Sequence, residues 1–66
     1  MTKVQAGEIA LQKVNGTIIK AQLEDEDGTA VYSVIIKDSK NETMEVKVDA
    51  STGTVVKVEQ DNQYYY

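Results

Sequence analysis

The apolar residues change their spacing once along this chain, at Asn15-Gly16-Thr17, and that change narrows the fold more than any other feature. Before it, Thr2 to Asn15 contains good helix formers and no proline. Thr2 and Gln5 fit the reciprocal capping box of a helix start, and Asn15-Gly16 supplies a stop, so a helix is expected over residues 3–15. At about 100° per residue, Val4, Ala6, Ala10, Leu11 and Val14 share one broad arc that also holds Gly7. Ile9 lies roughly 130° from the centre of that arc and is expected on a flank or against a second surface. Gly7 costs about 1 kcal/mol relative to alanine inside a helix, which is tolerable where a missing side chain lets the helix approach a sheet.

After Gly16 the period becomes 2, and turn residues recur at regular intervals. Four strands are expected at about 17–24, 29–37, 43–49 and 54–60. Asp25-Glu26-Asp27-Gly28, Ser39-Lys40-Asn41 and Ser51-Thr52-Gly53 make the connections. Links this short join antiparallel neighbours, so the strands form a meander. Pairing Leu23 with Ala30 sets Ala21 against Tyr32 and Ile19 against Val34. Pairing Ile36 with Met44 sets Val34 against Val46 and Tyr32 against Val48. A three-residue loop at 51–53 then places Val48 opposite Val56 and Val46 opposite Val58, with Gly53 in the left-handed position that closes a bulge. One face is apolar throughout and should lie under the helix. The expected fold is a two-layer α+β domain, one N-terminal helix on a four-stranded antiparallel meander. The same register sets Lys47 against Lys57 and Glu45 against Glu59 on the other face, which requires diagonal Lys–Glu relief.

A chain of 66 residues is one domain, 1–66, with a thin core: folding buries only about 60% of the surface at this size. Cysteine and histidine are both absent, which removes disulfides, thiolate metal sites, the usual general base and the commonest metal ligand. An enzymatic role has no nucleophile–base pair to rest on. The net charge of −4 without a single arginine disfavours nucleic acid and anionic membrane surfaces as partners. No apolar run reaches the ~18 residues that span a bilayer, and no signal peptide opens the chain. The early helix signal and the ending in Tyr64-Tyr65-Tyr66 read as a piece of a longer protein.

Few residues invite a site, and no metal or other cofactor is implied. Glu24-Asp25-Glu26-Asp27-Gly28 suggests calcium, but with Gly28 at the sixth position of an EF-hand loop the first and last ligands would be Leu23 and Val34, so the run reads as a solvated acidic turn. Asp49 precedes a turn, where a carboxylate accepts backbone amides and fixes the loop, and Gly53 answers a conformational demand. On the outer sheet face Ile18 is expected to pair with Ile35, near Val31 and Val55. That apolar spot is a candidate partner surface, although scattered surface aliphatics are also ordinary. On this reading Ile35→Asp leaves folding intact and abolishes partner capture. Asn15-Gly16-Thr17 and Asn41-Glu42-Thr43 match the N-glycosylation pattern by coincidence. The tail at 61–66 reads as a free end whose tyrosines could stack on a partner.

With the helix, the four strands and the run Val48-Asp49-Ala50-Ser51-Thr52-Gly53 in view, the chain resembles the PepSY domain. The family pattern Val-Asp-Ala-x-Thr-Gly falls on Val48 to Gly53. Helix alanines like Ala6 and Ala10, a glycine like Gly16, a strand like Ala21-Gln22-Leu23-Glu24 and an apolar–aromatic strand like Val31-Tyr32-Ser33-Val34 complete it. The resemblance implies a non-catalytic, extracytoplasmic bacterial module. Such modules occur in propeptides of thermolysin-like metallopeptidases and in secreted or membrane-anchored proteins. It implies binding to a protein partner, with a peptidase that it regulates or inhibits as the leading expectation. The alternative is a structural spacer or self-association domain of a cell-surface protein.

Overall fold

A computed structural model describes residues 1–61. Helix α1 (Lys3–Lys13) lies across one face of a four-stranded antiparallel sheet ordered β1-β2-β3-β4, from Gly16–Glu26, Thr29–Asp38, Thr43–Asp49 and Val55–Gln60. This is the two-layer α+β meander that the periodicity implies. The expected tail begins at Asp61, whose amide donates to the Thr43 carbonyl at 2.8 Å; its tyrosines lie outside the described residues.

The capping box forms: the Gln5 amide donates to Thr2 Oγ1 at 3.1 Å, and the Thr2 amide donates to Gln5 Oε1 at 2.8 Å. The helix ends two residues earlier than expected, because Val14 is already extended while its amide still bonds the Ala10 carbonyl. Ala6, Gly7 and Ala10 are buried, with Ile9, Leu11 and Val14 packed partly against the core. Val4 is 72% exposed, so the buried arc is rotated away from it and towards Ile9. A helix face of two alanines and a glycine can lie close to a sheet. A Cβ on Gly7 would stand 2.8 Å from Ile18 Cδ1.

Beneath the helix, Tyr32, Val34, Ile36, Val46 and Val48 complete the core. The β2–β3 register is Tyr32–Val48, Val34–Val46 and Ile36–Met44, as the alternation requires. The outer pairings differ from expectation in three places, at the β1–β2 turn and at the doubled β-branched residues Ile18-Ile19 and Val55-Val56. In β1–β2 the turn is only Asp27-Gly28, both at positive φ (53° and 85°), so Leu23 pairs with Tyr32 rather than Ala30 and Ala21 with Val34. The shift is two residues, which preserves the face. A bulge then intervenes: Lys20 pairs with Ile35 and Ile18 with Ile36, leaving Ile19 as the extra residue. In β3–β4, Val46–Val58 and Lys47–Lys57 hold, but Val48 pairs with Val55 and Val56 is the extra residue. Gly16 belongs to β1 and is not a helix cap in the left-handed region; its place is forced by space, since a Cβ there would lie 2.2 Å from the Lys37 carbonyl oxygen.

Candidate interaction surface

Each hairpin turn is fixed by an aspartate at its entrance. Asp25 Oδ1 accepts from the Gly28 amide at 3.0 Å, and Asp38 Oδ1 accepts from the Lys40 and Glu42 amides, both at 2.9 Å. Asp49 Oδ1 accepts from Ser51 at 2.8 Å and Thr52 at 3.1 Å. Gly53 sits at φ 77°, its amide donating to the Asp49 carbonyl at 2.9 Å. A Cβ on Gly53 would meet Met1 Cε at 2.9 Å and Ile9 Cδ1 at 3.3 Å, so the β3–β4 turn packs against the helix. This is the second surface for Ile9. Tyr32 joins the same end, its hydroxyl donating to the Met1 carbonyl at 2.8 Å.

The four residues expected to form an apolar outer spot do not form one. Ile18 pairs with Ile36 and lies under Gly7, on the helix side, because the bulge at Ile19 reverses its face. Val55 pairs with Val48 and packs against the core for the matching reason at Val56. Val31 and Ile35 do face outward but are only 3% and 6% exposed. Ile35 sits on central β2 between Lys20 and Glu45, and Val31 between Glu24 and Asp49, so both lie mid-sheet with polar cross-strand neighbours on either side.

Lys47 on β3 donates to Glu26 on β1 at 2.8 and 2.9 Å. Those strands are not neighbours, so the bond must cross β2, and its diagonal from the Ser33 row to the Thr29 row passes Val31. Ser33 Oγ donates to Glu45, and Gln22 Nε2 donates to Glu24 at 2.7 Å. Lys57 approaches Glu59 at 3.5 Å. The like-charged cross-strand pairs are thus relieved by Lys47 reaching over β2, by Glu45 turning to Ser33 and by the Lys57–Glu59 pair. The hydrogen bond to Glu26 raises the Lys47 pKa; partial burial opposes this, and the charges of Glu26, Glu45 and Glu24 add to it. Nothing in the sequence signalled the Glu26–Lys47 bridge, because it depends on the β1 register.

Exposed apolar side chains lie instead along the margins of the helix-bearing face. Leu23, on edge strand β1, is 55% exposed; Val58, on edge strand β4, is 44% exposed. Val4 flanks the helix on the β1 side, one turn before Gly7 over Ile18. Ile19 and Val56, the bulged residues, are also exposed. Among the described residues no three His, Cys, Asp or Glu side chains come together to hold a metal ion, and no helix is long and apolar enough to cross a membrane.

A helix on one face of a four-stranded meander, whose outer strands β1 and β4 have no further strand beside them among the described residues, defines a small two-layer α+β domain. The chain belongs to the PepSY family: the family model described as peptidase propeptide and YPEB domain matches residues 1–59. It is 32% identical over 62 residues to the uncharacterized protein YkoJ of Bacillus subtilis strain 168, and 36% identical over 58 residues to the uncharacterized membrane protein YkoI of that strain. Those matches cover 94% and 88% of this chain but 36% and 26% of the relatives, so the chain spans about a third of their length or less. A crystal structure of a protein inferred to be a lipoprotein, from Clostridium difficile 630, superposes with a TM-score of 0.87 at 38% identity, over 92% of this chain and 40% of that one. PepSY domains are generally regulatory, non-catalytic modules.

Proposed function

We propose that this domain is a non-catalytic protein-binding module that regulates or inhibits an extracytoplasmic peptidase. The observation that carries the reading is the match of residues 1–59 to a domain described by its place in peptidase propeptides. Two strand edges left unpaired among the described residues, and the exposed Val4, Leu23 and Val58 beside them, support it, since an edge gives main-chain hydrogen bonds and marginal apolar residues give contact area. A membrane protein and an inferred lipoprotein among the similar proteins support a place at the cell envelope. The spacer or self-association reading draws support from relatives and a neighbour that are all much longer than this chain.

The test is kinetic. A purified secreted thermolysin-class metallopeptidase of the same organism is assayed on a fluorogenic peptide while the domain is added in increasing excess. Saturable slowing of hydrolysis, or a raised yield of active enzyme on refolding, is the expected result. Unchanged rate and unchanged refolding yield would reject peptidase control.

A further inference from the structure

Edge strand β1 carries a five-residue run, Lys20-Ala21-Gln22-Leu23-Glu24, that complements itself when laid antiparallel against a second copy. With Gln22 opposite Gln22 on the two-fold axis, Lys20 faces Glu24, Ala21 faces Leu23, and the same pairs recur on the far side of the axis. Every position finds a suitable partner: cation against anion, small against large apolar, amide against amide. Such symmetry is what an isologous interface requires.

The backbone is in phase with this pairing. The two-residue turn makes Glu26–Thr29 a hydrogen-bonded pair, so Glu24, Gln22 and Lys20 bond inward to β2 and alternate residues direct their amide and carbonyl groups to the open edge. Those residues are Leu23 and Ala21, which are opposite each other in the proposed register and would exchange both bonds on each side of the axis. The bulge at Ile19 lies just beyond the run and ends the pairing there. Leu23, now more than half exposed, would be covered.

From this self-complementarity we propose that β1 is a homodimerisation edge, joining two copies into one continuous eight-stranded sheet with both helices on the same side. The other edge, β4, offers only Lys57-Val58-Glu59 in a comparable pattern, three residues against the five of β1. The interface takes the β1 edge and Leu23, which the peptidase reading also uses, so the two would compete there, and sedimentation of the domain alone tests the dimer apart from the peptidase.

Sedimentation equilibrium over a concentration series reaching the millimolar range is the test. The mass is expected to rise from the 7.3 kDa of one chain towards twice that value. Lys20→Glu and Glu24→Lys, each of which sets like charges face to face twice, are expected to weaken association at least tenfold. The double exchange Lys20→Glu/Glu24→Lys is expected to restore it. Gln22→Cys, in a chain without native cysteine, should form an intermolecular disulfide on mild oxidation, since a non-hydrogen-bonded pair brings Cα atoms to about 4.5 Å. A mass of one chain at every concentration would overturn the proposal. So would single charge variants that associate as tightly as the wild type, or preferential cross-linking of Val58→Cys, which would place the contact at β4.

Discussion

At the scale of single residues, glycines of one type do different work, and substitution separates them. Gly7 faces the tip of the Ile18 side chain, which can turn aside, so the strain of Gly7→Ala offsets a helix-propensity gain of about 1 kcal/mol and the net change stays within that size. Gly16 faces backbone, which cannot move away. Gly16→Ala is expected to cost about 2 kcal/mol or more by overpacking the start of β1 against β2. Urea denaturation of the two variants checks the contrast, and equal stabilities would contradict it. Asp49→Ala removes the acceptor of two amides and is expected to cost about 1 kcal/mol in the same experiment, with Asp49→Asn recovering part of the loss.

At the scale of elements, the outer sheet face is a polar lattice over buried aliphatics. Ile35→Asp therefore places a carboxylate where almost no solvent reaches and is expected to unfold the domain, contrary to the expectation from alternation alone. Circular dichroism of the variant decides this. The Lys47–Glu26 pair adds a pH dependence. A lysine pKa raised on folding contributes stability that is fully present below the ordinary lysine value and is lost as pH rises through the folded value, so wild type should weaken on the alkaline side. Lys47→Met should lose that component of the slope, as followed by alkaline titration of thermal unfolding. The helix, the β2–β3 register and the fold class were legible from period and turn chemistry. The bulges at Ile19 and Val56 were not, because a doubled Ile or Val fits a regular strand as well as a bulge until helix packing chooses. That single ambiguity moved Ile18 and Val55 to the opposite face, and the Lys47–Glu26 bridge across β2 beside Val31 depends on the β1 register, which alternation does not encode.

At the scale of the whole molecule, the exposed apolar surface among the described residues lies along the sheet edges and the margins beside them. The binding reading therefore predicts where a peptidase must touch. Methyl-resolved NMR of the labelled domain, titrated with the metallopeptidase, tests this most directly. Shifts confined to the methyl groups of Val4, Leu23 and Val58 are the predicted result. Shifts centred on Val31 and Ile35, or a spectrum unchanged at saturating enzyme, would contradict it.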